Sequence, residues 1–426
     1  MPAPITADES RDPEKKALSE IGARLRHDFT DLWMECGDGD IPDGRVYSPK
    51  EQAANGRELS RFVDLLRAEA HRPPASPKAG SEVRERLVEA GGRLARNALG
   101  WEDRHLAVIL SGGFERPGME FRKAARSLGP GLDAEDILQA SRNVWVANGL
   151  QKLLGLSVRL TPAITAYSLL YPHTDNYLDD PGISRQAKKG FNERLKARLA
   201  GRDVIPANPG EKAVFDLVAM IEEEYERAKY PRVFESLAEI HRAQVESLAL
   251  LRPEGSPFEA DVLGISLDKG GTSVLADAFL VAGSLDSARI EFAYGLGAFL
   301  QLMDDLEDVF EDRKAGRMTV FTQTAKGWFL DGVTSRALHF GEHVLAPMDG
   351  FAAPGTEALQ DLFRSVTRMG VINCAGRAGR LYSRDYLERL ETRSPFRFAF
   401  AIKQRRKLAK RRAVTARLFQ ALSASN

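Results

Sequence analysis

The 426-residue chain carries two cysteines, Cys36 and Cys374, far apart and with no His cluster beside either. That excludes a disulfide framework and a zinc site, and it fits a reducing, cytoplasmic compartment. Long apolar runs are missing as well: none approaches the roughly 20 residues that a membrane span needs. The opening MPAPITADESRDPEKK has no apolar core of the kind a leader carries. Net charge is absent too, because 60 basic residues balance 60 acidic ones, which argues against a bulk nucleic-acid binder. Strand-like alternation and fixed-period repeats are lacking too.

What remains is helix. Leu18, Ile21, Leu25, Phe29 and Leu32 recur at spacings of three and four, and a second helix is expected around Leu59 to Ala70. HRPPASPKAG, from His71 to Gly80, reads as a linker, so residues 1–80 are expected to form a small helical extension with a disordered start. From Ser81 onward, helical segments alternate with Gly- and Pro-bearing loops such as DDPGIS, IPANPGEK and RPEGSPFEAD. The expectation is one all-α domain over residues 81–395, packed helix on helix around a cavity, followed by a basic helix over 396–426.

The stretch from Phe292 to Thr322 is the most unusual. On a helical wheel Gln301, Asp304, Asp305, Asp308, Glu311 and Asp312 fall within roughly a third of the circumference. Leu302, Leu306, Val309 and Phe310 take the other side, and Leu300, Gly297 and Tyr294 continue the acidic face downward as small and apolar positions. A solvated face would interleave Lys and Arg, yet no base appears here before Arg313. Like charges stacked at i,i+4 destabilise a helix by roughly 0.2–0.5 kcal/mol per pair, and a divalent cation would relieve that. Hard oxygen ligands suit Mg2+ best.

A second acidic cluster closes the segment SLLYPHTDNYLDDPGIS. Asp175 and Asp179 share a helix face, Asp180 lies one step round, and Pro181 ends the helix. Carboxylates at a helix C-terminus oppose the macrodipole unless a cation compensates. Two such clusters, each ending an apolar helix, suggest two acidic rims facing each other across a pocket with metal ions between.

These residues carry a resemblance to the class I isoprenoid synthases. Gln301, Asp304, Asp305 and Asp308 resemble the Q-x-x-D-D-x-x-D motif of trans-prenyl diphosphate synthases. Asp308, Glu311, Asp312, Gly316 and Arg317 resemble the D-x-x-E-D-x-x-x-G-R run of squalene and phytoene synthases. Asp304, Asp308 and Asp312 have the spacing of the metal triad of terpene cyclases, and Asp175 to Asp180 is similar to the first motif of squalene synthases. Lys269-Gly270-Gly271-Thr272 stands where prenyl synthases place a Lys-Thr helix break. The resemblance covers roughly residues 140–330 and implies a single isoprenoid-synthase-type all-α bundle with a central active-site cavity.

The resemblance also implies chemistry. Several Mg2+ ions would be held by Asp175, Asp179, Asp180, Asp304, Asp305, Asp308 and Asp312, with Asp175, Asp179, Asp304, Asp308 and Arg317 the catalytic set. The diphosphate of a prenyl substrate would meet Lys269, Arg317, Arg377, Arg380 and Tyr382. Tyr167, Tyr171, Phe292, Tyr294 and Phe299 are the aromatics available to stabilise a carbocation.

Where a chain-elongating synthase shows paired arginines, this chain reads Ser184-Arg185-Gln186-Ala187-Lys188-Lys189, which argues against elongation. Squalene-type enzymes carry an early Ser-Arg element, and the candidates Ser60-Arg61 and Ser141-Arg142 lack its surrounding pattern. Cyclisation to a terpene needs only one diphosphate site and is the expected reaction. Coupling of two prenyl chains or chain elongation is the alternative, and a non-catalytic helical binding protein the more distant one. The expected partners are the small-molecule substrate, a homodimer and, through KQRRKLAKRRAVTARLF, a peripheral membrane surface, with no nucleic acid.

Overall fold

The computed structural model describes residues 16–72, 74–111, 113–128, 132, 134–180, 182–251 and 259–409. Every regular element among them is helical. The first five helices are α1 (Leu18–Glu35), α2 (Pro49–His71), α3 (Pro77–Leu94), α4 (Asp103–Ser111) and α5 (Glu115–Leu128). The next five are α6 (Ala134–Leu153), α7 (Pro162–Asp179), α8 (Arg185–Leu199), α9 (Pro209–Glu224) and α10 (Pro231–Ser247). The site is built mainly on α11 (Val262–Ala282), α12 (Ser287–Glu307) and α13 (Val309–Ala315). After them come α14 (Val320–Thr324), α15 (Asp331–Leu345), α16 (Met348–Phe351), α17 (Glu357–Arg377), α18 (Arg384–Glu391) and α19 (Phe398–Ala409).

Local sequence sets many of the starts. Ser48, Ser184, Asn208, Asp261 and Asp286 each accept a hydrogen bond from a backbone N–H in the first turn of the helix they precede, and Pro stands at the head of α2, α3, α9 and α10. Those caps satisfy donors that a helix N-terminus leaves unpaired.

The bundle is organised around α11, most of whose residues are buried. It packs along α12, and around that pair stand α1, α6, α7, α10, α15 and α17. Gly270 and Gly297 sit in the α11–α12 contact, where neither position has room for a Cβ. The described residues form an all-α bundle, as expected, with a cleft at one end of its central helices.

Three details differ from expectation. The helix α1 belongs to the main core, with Leu18, Ile21, Leu25, Phe29 and Trp33 buried against the bundle rather than set apart in an extension. Its apolar stripe reported an amphipathic helix and said nothing about what covers it. There is no helix break at Lys269–Thr272: α11 runs through, Thr272 donates its hydroxyl back to the Asp268 carbonyl, and the glycines serve the close approach of α12. The basic C-terminal segment is described only as far as Ala409, where α19 packs on α2 and α17; the rest of that segment lies outside the described residues.

Candidate active site

The acidic end of α12 opens into a cleft of about 250 Å³. One wall carries Gln301, Asp304, Asp305, Asp308 and Asp312; Lys269 and Ser266 come from α11, Pro172 and Leu178 from α7, and Arg317 from the loop after α13. At Asp308 the helix bends, with φ −95° and ψ 12°, so α12 ends and α13 begins there. The backbone bonds Asp308 N–H to Asp304 O (2.9 Å) and Asp312 N–H to Asp308 O (2.8 Å) carry the i→i−4 pattern across the bend. Four aspartates thus stay on one side although the helix is not straight.

Gly316 explains the Gly-Arg pair that follows. Its φ of 72° is a left-handed conformation that ends α13 and that glycine adopts without strain. The Arg317 N–H then bonds to the Asp312 carbonyl at 2.9 Å, and the guanidinium Nε lies 3.4 Å from the Asp312 carboxylate. Met318 N–H is held by the Leu250 carbonyl at 2.9 Å, which fixes this loop against another part of the cleft wall.

Electrostatics mark the acids as unusual. Burial pushes the Asp305 carboxyl up to about 7, against the hydrogen bond it accepts from Gln301 Nε2 at 2.8 Å, and the nearby Asp304 and Asp312 add to the rise. Asp308 is pushed up to about 6 by desolvation and then by Asp304 and Asp312. Desolvation also raises Asp304, which Arg142 and Lys269 pull back, and Asp312, which Arg317 pulls back. Asp305 and Asp312 are buried while Asp304 and Asp308 reach solvent, and carboxylates this close resist joint ionisation; a cation between them removes the conflict.

The donor set fits a hard divalent ion: it consists of carboxylate oxygens, and Asp305 Oδ2 is buried with no hydrogen-bond partner. Among the described residues, no three His, Cys, Asp or Glu side chains gather closely enough to close a metal site by themselves.

The structure gathers Lys269, Arg317, Asp304, Asp305, Asp308 and Asp312 around one cavity. Lys269 has no ion-pair partner among the described residues. Positions 175 and 179 follow the cleft residue Pro172 along α7, and their side chains lie outside the description; Asp180, just past the helix, is exposed and accepts from Gly182 N–H at 2.7 Å. The structure does not bring the downstream group into the cleft. Arg377 pairs with Glu307 at 2.9 Å, Arg380 stacks on the Phe310 ring at 3.9 Å, and Tyr382 is buried with its hydroxyl 2.7 Å from Thr334 Oγ1.

The expected aromatic wall is also elsewhere. Tyr294 stacks on Phe29 and donates to Asp268, Phe299 meets Phe340, and Phe292 meets Phe351. Tyr167 donates to the Ser273 carbonyl and faces a small cavity of about 40 Å³. Tyr171 lies outside the described side chains.

One base gained its place only through the fold. Arg142, on α6, is exposed and reaches Asp304 Oδ1 at 3.4 Å, whereas Ser60 and Arg61 lie on α2 beside a different groove. The dipeptide Ser141-Arg142 was the only signal for it, and nothing local showed which helix it would face.

No known family model and no curated protein matches the chain. Among solved structures it is similar to a squalene synthase, HpnC, from Alicyclobacillus acidocaldarius. The two are 16% identical, with 59% of this chain and 98% of that chain covered and a TM-score of 0.38. What the cleft can do is decided by its own residues.

Proposed function

We propose that the cleft binds an allylic prenyl diphosphate and ionises it, as an isoprenoid synthase dependent on Mg2+. The observation that carries this is the convergence of Asp304, Asp305, Asp308 and Asp312 with Lys269 and Arg317 around one cavity. Asp304, Asp308 and Asp312, with Asp305 behind them and Asp175, Asp179 and Asp180 on the facing segment, would hold the metal. When bound, Mg2+ supplies Lewis-acid stabilisation of the departing diphosphate.

The chain's own residues do the rest. Lys269 and Arg317 bind diphosphate oxygens, Arg317 offering a fork and Lys269 a compact charge. Arg142 leaves Asp304 for the incoming anion and adds a third base at the mouth. Gln301 holds Asp305 by one oxygen and leaves the other free. Leu250, Leu251 and Met318 limit water near the leaving group.

Of the fates open to the resulting cation, we favour transfer to a second prenyl chain over cyclisation. A cyclase folds one chain in an enclosed aromatic chamber, and of the aromatics expected to wall it Phe292, Tyr294 and Phe299 are committed to core contacts. The missing paired arginines weigh against elongation. Product analysis tests this reading: incubation with farnesyl or geranylgeranyl diphosphate and Mg2+ should give a compound of twice the carbon count, without isopentenyl diphosphate. A product with the substrate's own carbon count would make the enzyme a cyclase instead.

A further inference from the structure

A second cavity lies on another flank of α12, between that helix, α17 and α19, with a volume of about 370 Å³. It shares no lining residue with the acidic cleft. Phe396, Phe398, Ala401 and Ile402 give it apolar walls. Gly376 is part of the reason Phe398 stands where it does, since a Cβ there would overlap the ring.

Its polar end is short of acid. Arg377 Nη1 reaches Glu307 Oε1 at 2.9 Å, and Arg405 Nη2 approaches the same oxygen at 3.6 Å, so one carboxylate answers two guanidinium groups. Among the described residues the other Arg377 fork nitrogen has only the Cys374 sulfur, a weak acceptor, at 3.1 Å. Arg405 is 60% exposed and can be reached from solvent. Guanidinium forks match phosphate oxygens, apolar walls suit a hydrocarbon chain, and the volume falls in the range of about 300–1,000 Å³ usual for ligand sites.

We infer that this groove binds an amphiphile by its phosphate or diphosphate head, which displaces Glu307 from Arg377 and Arg405 while the chain lies along Phe396, Phe398 and Ile402. This rests on the proposed function for the identity of its ligand: a prenyl diphosphate, held apart from the catalytic cleft. A phospholipid headgroup shares the chemistry. Glu307 ends α12 one residue before Asp308, so the groove adjoins the helix end that carries the catalytic acids.

The test is calorimetric titration of the full-length protein with farnesyl diphosphate in EDTA, which leaves the cleft only the direct contacts of its own bases. Saturable binding is expected, at least tenfold weaker in Arg405→Ala, tighter in Glu307→Gln and unchanged in Asp308→Asn. Flotation with phosphatidic acid vesicles separates the sources: vesicle binding without farnesyl diphosphate binding assigns the groove to lipid. Absence of both, an unaltered affinity in a folded Arg405→Ala protein, or inorganic pyrophosphate binding as tightly as farnesyl diphosphate overturns the inference. Should Arg405→Ala not fold, Glu307→Gln decides, and a weaker affinity there contradicts the displacement. Because Mg2+ is absent throughout, failure here is distinguishable from failure of the catalytic reading.

Discussion

Gly270 and Gly297 meet so closely across the α11–α12 contact that a Cβ on either would overlap the other's backbone carbonyl. Lys269 precedes one of them, and Gln301 follows the other by a single turn. The contact therefore sets how near the base on α11 stands to the acids on α12. Gly297→Ala should destabilise the protein by about 1–3 kcal/mol through overpacking. A urea midpoint indistinguishable from wild type would show that the helices can separate without cost.

The raised carboxyls make stability depend on pH in a defined direction. With Asp305 at about 7 and Asp308 at about 6, the folded chain holds protons that the unfolded chain has already released. Between the ordinary carboxylate range, about 4, and about 7, the stability these two groups contribute therefore falls as pH rises. Without metal, raising the pH from 5 to 8 should lower the melting temperature of the wild type relative to that of Asp305→Asn; His173 and His241, which burial pushes down, act in the opposite sense and equally in both proteins. Mg2+ should raise the melting temperature more at pH 8, where the ligands are ionised. The same pH dependence in metal-free wild type and Asp305→Asn would contradict the strained acidic cluster.

Arg142 separates a ligand contact from a surface ion pair. Its pair with Asp304 is long and exposed, so Arg142→Ala should change stability by no more than about 0.5 kcal/mol. Inhibition by inorganic pyrophosphate in the presence of Mg2+ should nevertheless weaken about tenfold, or about 1.4 kcal/mol. Equal inhibition of both proteins would leave Arg142 as a solvated residue at the mouth.

The acids, their shared face and the all-helical fold were legible because each depends on spacing within a single helix. Asp304, Asp308 and Asp312 keep one side by periodicity alone, and even the bend at Asp308 does not disturb it. Contacts between helices were not legible in the same way. Tyr294 and Gly297 share the wheel face of the acids and were read as lining a cavity, but α11 fills that space, taking the tyrosine hydroxyl on Asp268 and the glycine against Gly270. Arg377, Arg380 and Tyr382 resembled a binding motif by local order, and the end of α17 turns them to Glu307, Phe310 and Thr334. Arg142 is the reverse case, a residue without local pattern that α6 carries to the acids.

The central claim is that these acids ionise a prenyl diphosphate, and release of inorganic pyrophosphate from farnesyl diphosphate measures that most directly. Wild-type protein should release it with Mg2+ and not in EDTA. Asp308→Asn should reduce the rate by at least a hundredfold, about 2.7 kcal/mol in transition-state terms, while its circular dichroism stays helical. Release by Asp308→Asn at the wild-type rate, or no Mg2+-dependent release by the wild type from farnesyl, geranyl or geranylgeranyl diphosphate, would contradict the account.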